Sequence, residues 1–105
     1  MAYRWPDKDP DEITDYSVDW SRFITDADIS AAYWSLKLDD GTKDQFSDAE
    51  TVDGLQFVQG TLSGKVATAR FGLGTVNKRY TVLCKVQTSD GLTFERAIHL
   101  RITEK

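Results

Sequence analysis

The chain has 105 residues and a formal net charge of −4, the length of one domain and too short for two ordinary ones. Hydrophobic residues make up 40% and charged residues 29%, enough for one core and unlike a disordered chain. The lone cysteine, Cys84, excludes an internal disulfide framework, and no stretch nears the roughly 18 apolar residues of a membrane helix.

Taken in chain order, residues 1–12 read as an extended arm rich in Asp and Pro, with Trp5 at its base. Pro6 and Pro10 deny it a helix interior. The opening residues turn acidic at once and carry no signal-peptide run, so the chain is expected not to cross a membrane by the secretory route. Residues 13–105 form the domain proper. Tyr16, Val18 and Trp20 alternate with Asp15, Ser17 and Asp19, which predicts a strand. Ser21–Ile24 reads as one helical turn or a loop. Ala32, Trp34, Leu36 and Leu38 alternate as a second strand that stops at Asp39-Asp40-Gly41. A short strand is expected around Lys43–Phe46. Leu55–Val58 and Lys65–Phe71 read as two more, separated by a turn region at Gly60–Gly64. Tyr80, Val82, Cys84 and Val86 then alternate up to Ser89-Asp90-Gly91, where Asp-Gly is a strong hairpin signal. The return strand places Leu92, Phe94, Ile98, Leu100 and Ile102 inward, with Arg96 the one break on the apolar face. No window of helical length holds a helical stripe. Six or seven short strands between Gly and Asp turns predict an all-β, antiparallel sandwich with an extended N-terminal arm.

Charge is unevenly distributed. Residues 1–54 hold fourteen Asp/Glu against five Lys/Arg, and residues 55–105 hold three against eight, for net charges of −9 and +5. If the halves mix on folding, the asymmetry becomes intramolecular pairing. If they stay apart, opposite patches on one chain favour head-to-tail contact between identical subunits.

The residue types that carry chemistry are sparse. Asp7-Lys8-Asp9-Pro10-Asp11-Glu12 suggests a calcium loop, but counting from Asp7 the required Gly falls on Glu12 and the required Glu on Val18. No metal site is assigned. Phe71-Gly72-Leu73-Gly74-Thr75 lacks both the third glycine of a dinucleotide fingerprint and the lysine of a phosphate loop, and reads as a turn in which Gly supplies positive φ. His99 is the only histidine and points outward, with no nucleophile elbow in the chain. Cys84 lies on an inward register, as a small hydrophobe. No catalytic residue and no cofactor site is assigned. Lys78, Arg79, Lys85, Arg96 and Arg101 bias the second half towards basic, but no interleaved aromatic motif supports nucleic-acid binding. Trp34 reads as core and Trp20 as a cap on it. Trp5 has two readings: an anchor for a partner, or a side chain folded back to close one end of the sandwich.

Trp5-Pro6-Asp7-Lys8-Asp9-Pro10-Asp11-Glu12, then Tyr16 and Asp19-Trp20-Ser21, resemble the opening of a family of small tailed-phage proteins described as fibre–tail adaptors. Tyr80-Thr81-Val82, Gly91 and Phe94-Glu95-Arg96 are similar to its end, while the middle, from about Thr42 to Gly74, diverges. The resemblance implies an immunoglobulin-like domain present in many copies in a virion assembled in the bacterial cytoplasm. It carries over no catalytic residue, cofactor, nucleic acid or membrane. Its partners would be head–tail connector, tail or fibre subunits and copies of itself, with Trp5, Asp7, Asp9, Pro10, Asp11 and Glu12 as the expected contact residues. Capsid decoration is the alternative within that class. A carbohydrate-binding sandwich is the alternative outside it, and would need coplanar exposed Trp or Tyr rings.

Overall fold

The structure, a computed structural model, describes residues 3–105, so the first two residues of the arm lie outside the described residues. The strands are β1 (Tyr3–Arg4), β2 (Thr14–Asp19), β3 (Ile29–Lys37), β4 (Lys43–Gln45), β5 (Glu50–Val52), β6 (Leu55–Ser63), β7 (Val66–Leu73), β8 (Arg79–Thr88) and β9 (Thr93–Arg101). They form two facing sheets, in the orders β1-β9-β8-β3-β4 and β2-β7-β6-β5. Neighbours run antiparallel except β1, which lies parallel to β9 with Tyr3 opposite Ile98 and Arg4 opposite His99. The first and last strands therefore share one flank of the sandwich, between β9 and β2. The opposite flank opens between β4 and β5.

Period-2 alternation builds both inner faces, because successive side chains on a strand point to opposite sides. On β8, Tyr80, Val82, Cys84 and Val86 are buried, and β9 contributes Ile98 and Leu100. Trp34 and Leu36 of β3 complete this side, while the second sheet supplies Tyr16, Leu55, Phe57, Ala67, Ala69 and Phe71. The Ser21–Ile24 stretch is a single turn, its Ile24 N–H donating to the Trp20 carbonyl at 2.8 Å.

Three details depart from the sequence reading. The β6–β7 reversal falls at Gly64, not across Gly60–Gly64; β6 runs on through Gly60. Gly60 marks a close approach inside a strand, since a Cβ there would lie 3.1 Å from both Phe57 Cζ and Trp34 Cδ1. Leu92 sits in the hairpin turn and is 53% exposed, so β9 begins at Thr93. Two short strands, β1 and β5, are too brief to show periodicity.

The centre of the core is a row of rings crossing from flank to flank. Trp5 stacks on Tyr16 with centroids 4.9 Å apart and lies 5.9 Å from Trp34 and 6.1 Å from Phe71. Phe71 meets Phe57 and Phe46 at 5.8 and 5.7 Å, and those two stack on each other at 5.2 Å. Tyr80 ties the two sheets at one end. Its hydroxyl donates to the Asp53 carbonyl at 2.8 Å and accepts from the Thr75 N–H at 3.0 Å.

Gly74, after β7, has φ +108, and a Cβ there would lie 2.7 Å from two side-chain atoms of Ile102. Gly41 also has positive φ, but a Cβ there meets nothing within 4 Å. Gly74→Ala should therefore cost about 1–3 kcal/mol and Gly41→Ala clearly less, read from urea midpoints.

Candidate interaction site

The N-terminal segment expected to meet a partner is bound along its own domain. The Trp5 N–H donates to the His99 carbonyl and the Lys8 N–H to that of Arg101, each at 3.0 Å, and the Thr103 N–H returns a bond to the Lys8 carbonyl at 2.8 Å. The chain thus continues as a strap beside β9. The Trp5 indole crosses the gap between the sheets: it is 8% exposed and its Nε1 donates to the Ser17 carbonyl of β2 at 3.1 Å. The Tyr16 hydroxyl donates to the Pro6 carbonyl at 3.2 Å. Of the two readings of Trp5, the structure adopts the folded-back one. The ring closes the β9–β2 flank, with backbone bonds on one sheet and an indole bond on the other.

Lys8 was not singled out in the sequence, yet it is fully buried. Its ammonium donates to the Leu73 carbonyl at 2.6 Å and to the Asp9 carbonyl at 2.8 Å. Desolvation lowers its pKa, against the opposing pull of Glu12, Asp9 and Asp11. A lysine amid acidic residues reads as surface; only the fold shows that its four-carbon stem passes into the core.

The acids of the arm are partly committed within the chain. Asp9 accepts from the Lys105 and Asp11 backbone N–H groups, both at 2.8 Å, and these bonds hold its carboxyl below the usual range. Glu12 accepts from the Asp9 N–H at 2.8 Å and pairs with Lys105 Nζ at 3.1 Å, which lowers its pKa too. Asp7 pairs with Arg4 at 3.2 Å. Pro10 is part-exposed, and Asp11 and Glu12 are exposed on the outer side of this turn. The six residues are thus brought together, with Trp5 inside and the carboxylates outside.

The other candidates fall where the sequence placed them. Cys84 is fully buried, and burial pushes its thiol up to about 12. His99 Nδ1 lies 3.3 Å from the Thr81 hydroxyl on the outer face of its sheet. Among the described residues, no three His, Cys, Asp or Glu side chains cluster to hold a metal ion. All three tryptophans are buried, so none offers an open sugar-stacking platform. The halves of the chain do mix in part: Lys78–Asp53, Lys105–Glu12 and Arg70–Asp15 join acidic front to basic back, and Lys43–Glu95 pairs a front cation with a back acid.

Residues 8–101 match the family model described as podophage GP4 fiber-tail adaptor protein gp77. No curated protein matches the chain. Among solved structures, the chain is similar to the PKD domain of the protein KIAA 1837, with a TM-score of 0.50 and 18% identity. That match covers 96% of this chain and 83% of the other. The likeness shows the fold, an immunoglobulin-like β-sandwich.

Trp5→Ala should cost about 3–5 kcal/mol in urea unfolding, the range for an aromatic removed from a core, where a mere partner anchor would cost almost nothing. A second prediction concerns alkaline pH. Burial raises the Cys84 thiol from its ordinary 9.0 to about 12, and the Tyr16 hydroxyl from 10.0 to about 12. Their stabilisation is complete below pH 9 and 10 respectively and is lost as pH rises towards 12. Lys8, lowered from 10.5, works in the opposite direction in every variant that retains it. Between pH 9 and 10 the wild type should therefore lose stability relative to Cys84→Ala, by at most about 1.4 kcal/mol per pH unit, in urea titrations at each pH.

Proposed function

Given that the chain belongs to the podophage fiber-tail adaptor family, we propose that it is a non-enzymatic structural protein of a tailed-phage virion. In this reading it links the tail or head–tail connector to fibres by protein–protein contacts. Several copies sit in a symmetric assembly built in the host cytoplasm. The family match over residues 8–101 carries the proposal, because it spans the sandwich from the strap to the last strand.

The physical features support a passive joining part. Its core needs no disulfide, and its strap is held on both sheets, which suits a component under load. The exposed turn at Pro10, Asp11 and Glu12, together with Asp7 and the outer edge of Asp9, is the proposed contact for a basic partner surface. Trp5 supports that turn from inside. Charge at such a rim governs encounter and register more than affinity.

The test is cryo-electron microscopy of the intact particle, with Asp7→Lys/Asp11→Lys introduced in parallel. Density for this chain at the fibre base, and loss of fibres from particles carrying the variant, are the expected results. Copies spread over the capsid lattice would make it a decoration protein, and absence from the particle would overturn the virion reading.

A further inference from the structure

Each flank of the sandwich bears a surface depression, and the charges lining the two differ in their balance of sign. On the β9–β2 flank a groove of about 510 Å³ has Arg22, Arg96, Phe23 and one carboxylate, Asp19, in its lining, with Arg4, which is paired with Asp7. Arg96 holds an inward-register position opposite Cys84, and its guanidinium lies 4.6 Å from the Phe23 ring centroid and 5.5 Å from that of Trp20. Phe23 is 53% exposed although it packs edge-on against Phe94 at 5.0 Å. On the β4–β5 flank, an open hollow of about 700 Å³ has Leu38 and Val52 in its lining, with Asp39, Asp44 and Glu50 around them. Asp44 is opposite Leu36 and Glu50 opposite Phe57, so both also hold inward-register positions. Neither Asp44 nor Glu50 forms a salt bridge among the described residues, and nor does Arg22.

Inward-register charge at a sheet edge is a known guard against edge-to-edge aggregation. That role is indifferent to sign. Here cations predominate around an exposed ring on one flank, and carboxylates line the hollow on the other. With neighbouring strands about 4.8 Å apart, these flanks lie about 20 Å apart on opposite sides of the first sheet.

We infer that the chain contacts a second copy of itself flank to flank, Phe23 and its arginines seating in the acidic hollow between β4 and β5 of the neighbour. The contact is heterologous, so repeating it gives a ring where the rotation closes. It rests on the multi-copy arrangement proposed above and names the surfaces that would build it. An exposed aromatic within a charged rim is the usual make-up of an interface anchor.

The experiment is sedimentation velocity of the full chain, up to about 1 mM and at low and high salt. Self-association that weakens with salt is expected. Arg22→Glu/Phe23→Ala should weaken it at least about tenfold, as should Asp44→Lys/Glu50→Lys. Each double variant spoils one flank, so the two mixed together should give a heterodimer and nothing larger. Circular dichroism of both variants separates lost contact from lost fold, and for a misfolded variant Arg22→Gln or Asp44→Asn takes its place. A wild type that stays monomeric throughout, association unmoved by either change, or a mixture that stays monomeric would overturn the inference. None of these results touches the adaptor reading, which stands or falls on finding the chain at the fibre base.

Discussion

The structure depends on one contact that joins chain segments far apart: the Trp5 indole set between the two sheets. A sandwich with no cross-link must hold its sheets together by packing alone, and its flanks are the weak places because water can enter between the layers. Here the β9–β2 flank is shut by a ring that stacks on Tyr16 and donates to Ser17 while its own backbone is bonded to β9. The row of rings from Trp5 through Phe71 to Phe46 then runs the width of the core. Aromatic pairs contribute beyond the area they bury.

The residues that carry the family resemblance gain a physical explanation from this. Trp5, Lys8, Asp9, Glu12 and Tyr16 are bonded to one another or to the domain they precede. The motif is first a folding device, a clasp that pins the start of the chain to its end. Its outer carboxylates are displayed as a consequence. A family signature can therefore be specific and yet say little about the partner, since much of it is spent on holding the segment in place.

Most of the sandwich was legible in the sequence because alternation is a strong signal where a strand has one wet face. β3, β8 and β9 have it, and the Asp90-Gly91 turn makes β8 and β9 neighbours. The sequence says less where an element is short or a residue type is used against habit. β5 is three residues long, and Gly60, which reads as a turn, lies in a strand because the Trp34 ring presses against it. Lys8 has the composition of a surface residue and the position of a core one. The charge asymmetry was visible at once, but only the strand order shows which carboxylates are paired across the halves and which line a flank.

The parallel pairing of β1 with β9 has a consequence for how the chain is made. During synthesis the strap emerges well before its docking strand, so the Trp5 site does not exist until residues near 100 have left the ribosome. Contacts this distant in sequence are slow to form and must wait for the rest of the fold. Until then Trp5 and the inner faces of the early strands stay unsealed. A truncated product therefore lacks both the closed flank and the acidic turn held beside it. The fold thus makes synthesis of β9 a condition for holding the strap and its acidic turn in place.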